Sequence, residues 1–270
     1  MYGKDTRFRF AQEASWGMVP SGGWVGAAAA GSKVSLSERL PALRRVTGTA
    51  GGIAHAIASF EVAPAAANLA ALSAAALSRD EYGQMQSYTV EAADSSGAWR
   101  VPGAVVRRFK ARSGIARPRL EFLFEAVGKD WASAAAFDPS GGGKPFVFAG
   151  STAKVGNVPV DAAEFSVNVN NNVFMGPAAD DESTGFVTAG RQEVTGYVIV
   201  REDRRDFIDG DEHSIEIALA AAPSKAVITV AAAFFTWCRE IRSASAGALQ
   251  VLYFESASGA ITGGVSIALL

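Results

Sequence analysis

Two histidines and one cysteine are the only residues of their kinds in the 270-residue chain. His55 and His213 lie far apart, and neither has a cysteine or a second histidine beside it. Zinc needs clustered thiolates or imidazoles, and none are in reach along the chain. Three short motifs come near to known chemistry. Ser151 and Lys154 fit S-x-x-K. Such a serine should open a helix and a K-T-G should follow, whereas this segment sits among strand-patterned residues. The run GGGKP at 141–145 would be a phosphate loop only with Gly at 138 and Ser or Thr at 145. Asp138 and Pro145 stand there instead. The acidic run at 203–213 puts Arg205, Phe207 and Asp209 where a calcium loop ending on Gly210 needs its first ligands. The register fails, and an exposed turn is the simpler reading. No catalytic site, metal or cofactor is expected, and the chain is not read as an enzyme.

The bulk properties narrow the class further. The chain is 49% hydrophobic and 19% charged. That is a globular composition. A net charge of -2 offers no basic excess, so nothing favours holding nucleic acid by counterion release. The single Cys238 cannot form an internal disulfide. The first residues are charged where a secretory signal would be apolar. No stretch stays apolar for the roughly 18 residues that a membrane span requires.

Charge is unevenly distributed. Residues 100–119 hold Arg100, Arg107, Arg108, Lys110, Arg112, Arg117 and Arg119 and no acid. The acidic residues gather later, beginning with Asp180, Asp181 and Glu182. One reading is solvated strand faces. The other is that a basic hairpin around Arg107, Arg108, Lys110 and Arg112 on one copy meets an acidic loop on the next, with complementary fields setting register.

The elements that must position these groups are mostly strands. Residues 1–31 are rich in Gly and Ala around Trp16 and Trp24. They keep no period and read as an arm that docks by its aromatics. The arm is expected to pack on a neighbouring copy and not on its own core. The rest, 32–270, reads as one β-rich domain, with a Gly-rich loop at about 137–145 that marks a boundary or a long loop. Ala-rich residues at about 64–79 form the one helix, with Pro64 in its first turn and Arg79 in its last. A meander follows, through Tyr88 and Val90, then Trp99 and Val101, then Leu120, Phe122 and Phe124. Pro102 and Gly103 mark a bulge or an edge within it. Further strands fall near 145–150, 163–174, 190–201, 213–220, 225–235, 248–255 and 261–269. Residues 231–247 suit either a strand or a short helix. Asp209 and Gly210 read as a tight hairpin turn. Asn170, Asn171 and Asn172 mark the end of a strand, because Asn tolerates left-handed backbone and bonds its own main chain.

In this order the features resemble the tail tube (major tail) proteins of long-tailed bacteriophages. The resemblance spans nearly the whole chain. It rests on the arm QEASWGMVP, the Gly-rich approach to one helix, the hairpin running from QSYTVEAADSSGAWRVPG to LEFLFEAVGKDW, the Asn-rich strand before GRQEVTG, and the closing LQVLYFESASGAITGGVSIAL. The resemblance implies a mainly β, sandwich or barrel-like fold with one flanking helix. It implies hexameric rings that stack into a hollow virion tube for DNA ejection, assembled in the bacterial host cytoplasm. Its partners would be further copies of itself, the tape measure, the tail terminator and the tail tip or baseplate. Double-stranded DNA would pass through transiently and no membrane is involved. Asp180, Asp181, Glu182, Arg107, Arg108, Lys110, Arg112, Trp16 and Trp24 are then candidates for inter-subunit or lumen surfaces. The alternative is a carbohydrate- or ligand-binding β-sandwich module of a tail tip or baseplate, using tryptophans such as Trp99, Trp131 and Trp237.

Overall fold

The computed structural model describes residues 7–26, 56–94, 97–129, 132–137, 143–177, 184–243, 247–256 and 264–270. The chain begins with β1 (Arg7–Gln12), β2 (Val25–Gly26), β3 (Ala56–Val62), helix α1 (Ala66–Leu77) and β4 (Tyr88–Asp94). Next come β5 (Gly97–Gly114), β6 (Glu121–Gly128), β7 (Ala132–Ser133), β8 (Val147–Val155), β9 (Val158–Val160) and β10 (Ala162–Asn170). The chain closes with β11 (Val173–Pro177), β12 (Thr184–Ala189), β13 (Glu193–Val200), β14 (His213–Ala221), β15 (Ser224–Ser243), β16 (Gly247–Ser256) and β17 (Val265–Leu269). The fold is mainly β, with a large antiparallel sheet and, among the described residues, one α-helix.

Seven strands build a central antiparallel sheet in the order β3-β6-β5-β10-β13-β16-β15. Two of them are very long, β5 with 18 residues and β15 with 20. Each turns a corner into a further sheet. The first part of β5 pairs with β4 and β7, and β1 and β2 follow beyond β4. The first half of β15 pairs with β14 and β17, and β8 and β9 follow beyond β14. Register slips mark the corners, between Val106 and Arg108 in β5 and between Phe235 and Trp237 in β15. An extra residue in one strand bends it and increases its twist. The expected irregularity at Pro102 and Gly103 is such a bulge, with Gly103 at φ +67.

The core follows from strand alternation. Phe60, Phe124, Phe109, Val169 and Val194 lie in one row across five strands, all buried. A second inward row runs Val62, Phe122, Ala111, Val167, Gly196, Phe254 and Phe235. Gly196 belongs there because a Cβ would overlap the Phe254 ring. Each buried large side chain contributes about 1.5–3 kcal/mol relative to exposure. A single apolar cluster joins residues of all three sheets with Leu69, Leu72 and Ala76 of α1.

Several expectations need correction. Residues 7–12 of the expected arm are a strand, fully registered on β4. Its Phe8 and Phe10 are buried in the chain's own core, with Phe8 stacked 4.1 Å from Phe60. The described part of the arm therefore packs on its own chain. Glu13 fixes it there: its buried carboxylate accepts from Gly17 N–H at 2.7 Å, Gly103 N–H at 2.8 Å, and the hydroxyls of Ser87 at 2.8 Å and Thr89 at 2.7 Å. The helix starts at Ala66, so Pro64 precedes the cap; Asn68 Oδ1 accepts from Ala65 N–H at 2.8 Å and sets the start. Arg79 lies past the last turn and serves another purpose, described below. Residues 231–243 are strand. Asp209 and Gly210 form a bend after a 3-10 turn (Arg205–Phe207) and not a hairpin, because β13 pairs with β10 and β16 while β14 pairs with β15 and β8.

Candidate functional site: the outer face of the central sheet

The second face of the central sheet points away from the core, and register sorts its side chains into rows. One row is Ser59, Glu125, Arg108, Asn170 and Glu193. The next is Glu61, Leu123, Lys110, Asn168, Thr195, Glu255 and Phe234. The third is Glu121, Arg112, Ser166, Tyr197, Tyr253 and Trp237.

These rows bring Arg107, Arg108, Lys110 and Arg112 together on β5, as alternation requires for the last three. Arg107 joins them because it is the extra residue of the β5 bulge. Most of the basic run that looks unbalanced in sequence is paired in space. Arg112 lies 2.7 Å from Glu121 and 3.6 Å from Glu61, and Arg117 lies 3.4 Å from Glu164. Arg107 and Arg108 share Glu125 at the looser distances of 4.0 and 3.8 Å. Arg100 pairs at 2.8 Å with the fully buried Glu91. Cross-strand pairs of opposite charge add a few tenths of a kcal/mol each, and exposed ones often less.

Lys110 stands apart. Its neighbours across the sheet are Leu123 and Asn168, and its neighbours along the strand face are Arg108 and Arg112. No carboxylate stands at ion-pair distance from it among the described residues. Burial lowers its pKa from the usual lysine value, Arg112 and Arg117 lower it further, and Glu164 opposes them. Lys110 and Arg108 line an open trough with Asn168, Asn170, Thr195, Glu125, Glu193 and Ser59.

The third row ends in aromatics. Trp237 stacks on Tyr253 at 4.9 Å, and Tyr253 meets Tyr197 edge-on at 6.1 Å. The Tyr197 hydroxyl donates to Glu164 at 2.6 Å. Burial first, and this carboxylate second, push the Tyr197 pKa up to about 12. Trp237 is 55% exposed, with its ring at the sheet's edge.

At one end of β10 the chain leaves the sheet through the asparagine triplet. Asn172 has φ +47, the left-handed conformation expected for it. Asn170 Oδ1 accepts from Asn172 N–H at 3.2 Å, and Asn172 Nδ2 donates to Arg191 O at 2.8 Å. Asn171 is fully buried and ties the region together. Its amide donates to Ala76 O at 3.0 Å and Val106 O at 2.9 Å, and its carbonyl accepts from Gln192 at 2.8 Å. Arg79 completes the knot, donating to Gly190 O at 2.7 Å and Gly83 O at 2.9 Å. Beyond this anchor, β11 and β12 form a separate two-stranded hairpin with Phe174 63% and Phe186 54% exposed. Asp180, Asp181 and Glu182 belong to the segment joining these strands and lie outside the described residues, as do Trp131, His55 and most of the Gly-rich loop.

The two tryptophans of the arm dock on their own chain. Trp16 Nε1–H donates to Gly103 O at 3.0 Å, with Lys129 Nζ 4.1 Å over its ring. Arg9 lies 4.3 Å from the Trp24 ring and 4.2 Å from Phe137. His213 packs against Phe207 and Phe235, with Nε2 3.1 Å from Asp209. Sequence reasoning missed the row of Tyr197, Tyr253 and Trp237 and the Asn171 anchor, since both depend on pairings between distant segments. The chain matches no protein-family model and no curated protein.

Proposed function

We propose that the chain is a structural, self-assembling protein, a subunit of a bacteriophage tail tube whose rings stack into a conduit for DNA. One observation carries the reading. The central sheet has two open edges: β3 pairs with β6 alone, and residues 237–243 of β15 pair with β16 alone, among the described residues. Proteins that stay monomeric in solution blunt such edges, because unpaired N–H and C=O groups recruit other strands. A head-to-tail contact between the two edges closes into a ring where the rotation permits. The order of features along the chain and its resemblance to tail tube proteins support the same reading. On the outer face Arg112 and Arg117 are paired with acids, which weakens any hold on a phosphate backbone.

Electron microscopy of the purified protein in negative stain tests this. Rings or tubes at high concentration, or on adding a tail assembly partner, are the expected result. A chain that stays monomeric under both conditions overturns the reading. A second reading, a carbohydrate-binding module, draws on the exposed Trp237 ring at the sheet edge; binding on a glycan array would favour it.

A further inference from the structure

We propose that the trough on the outer face of the central sheet is a binding site for an oxyanion, phosphate or carboxylate, held between Lys110 and Arg108. An open concavity with convergent polar groups is where a small ligand is first sought; Arg108 and Lys110 face Glu125 and Glu193 in its lining, and Lys110 has no carboxylate at ion-pair distance among the described residues. Neighbouring cations of the face are held locally: Glu121 and Glu61 take Arg112, and Glu164 takes Arg117 and the Tyr197 hydroxyl. Lys110 faces Leu123 on one side and the neutral Asn168 on the other. Arg108 stands one position along the same face and is 60% exposed, held by Glu125 only at 3.8 Å. Most of its fork of N–H donors therefore remains available.

Two amides stand on the β10 wall of the trough. Asn168 lies beside Lys110 with its amide donating at 3.4 Å to Thr195 O, and Asn170 lies beside Arg108 with its amide donating to Asn172 Oδ1 at 2.9 Å and to Glu193 at 3.4 Å. Thr195 supplies a hydroxyl from β13. The two acids that also line the trough, Glu125 and Glu193, both belong to the Arg108 row and none to the Lys110 row at this point of the sheet. They restrict the ligand to a small group entering over Lys110 and disfavour a long polyanion lying across the face. A planar carboxylate and a tetrahedral phosphate both accept from such donors, and charge-assisted hydrogen bonds are the strong ones.

The test titrates the full chain with inorganic phosphate in one arm and acetate in the other. The side-chain Nζ resonance of Lys110 reports binding, and calorimetry gives affinity. Saturable binding in the millimolar range that shifts Lys110 is the expected result, and the arm that binds more tightly identifies the oxyanion. Lys110→Met should weaken it by about tenfold or more. Arg108→Gln should weaken it by less, and Lys144→Met, exposed and away from the trough, not at all. Absence of a saturable shift at Lys110 in both arms overturns the proposal without reference to any variant. Unchanged affinity in a folded Lys110→Met chain does the same. The measurement is independent of ring formation, so it stands or falls separately from the tube reading.

Discussion

Strand β1 and the β11–β12 hairpin each carry a pair of phenylalanines, and both lie at the margin of the molecule. In β1, Phe8 and Phe10 alternate with polar residues and find β4 alongside and Phe60 beneath. They are 1% and 4% exposed. In the hairpin, Phe174 and Gly176 of β11 share a face with Phe186 and Thr188 of β12, and Phe186 lies over Gly176. Among the described residues no third strand joins this pair, and the rings stay open to solvent. The difference shows that an apolar side chain near a terminus or a loop does not announce a docking arm. What decides is whether another strand of the same chain is in register beside it.

Substitutions separate the two regions. Phe8→Ala removes a fully buried ring and is expected to cost about 3–5 kcal/mol in denaturant unfolding. Phe174→Ala and Phe186→Ala are expected to change stability by less than about 0.5 kcal/mol, while altering self-association in sedimentation. If Phe8→Ala is as mild as Phe174→Ala, the assignment of β1 to the core is wrong. Asn171→Ala strips hydrogen bonds from the buried Ala76 and Val106 carbonyls and is expected to cost about 2–3 kcal/mol. Hydrogen exchange should then quicken in the hairpin before it does in β1.

A smaller effect separates Asn172→Gly from Asn172→Val. Glycine accepts the left-handed backbone and should be nearly neutral, whereas valine should cost about 1–2 kcal/mol in thermal melts. Equal melting temperatures would count against the observed turn. The smallest effect is in alkaline titration. The pKa of Tyr197 is raised in the folded chain to about 12 from 10.0. The unfolded chain therefore releases that proton first as pH rises. The stability tied to it is whole below pH 10 and is lost as pH climbs through about 12. Tyr197→Phe should flatten the stability slope over that interval. An unchanged slope would place its cause elsewhere, with Tyr88, raised to about 12 by burial, the next residue to test.

Much of the strand pattern is legible in the sequence because alternation is local. The row containing Phe165, Val167 and Val169 is buried as its period requires. The turn at Asn170 and Asn172 is legible for the same reason, since the hydrogen bonds between these two residues close within two positions. The expected span of α1 lies within two residues of the observed one at each end, and its Leu69 and Leu72 are buried. What stays hidden is non-local. The basic run reads as unpaired because Glu61, Glu91, Glu121, Glu125 and Glu164 reach it only through strand pairing. The burial of Thr89 and Glu91, on a strand covered on both faces, cannot be read from alternation either. The arm reads as unattached because Glu13 and Trp16 find their partner at Gly103, 90 and 87 positions away along the chain.

The central sheet contains seven strands, each antiparallel to the next. Seven is odd, so the outermost strands, β3 and β15, run in the same direction. A two-fold axis would pair β15 with its own copy, antiparallel, and leave β3 bare. A rotation about an axis along the strands would seat β15 beside β3 in parallel, with neither edge left over. Such an assembly has unlike ends. The β11–β12 hairpin departs from one end of β10, and the turn through Ile115 and Arg117 lies at the other, where Gly114 pairs with Glu164. An object with a distinct top and bottom elongates with a sense, and the parity of one sheet is enough to impose it.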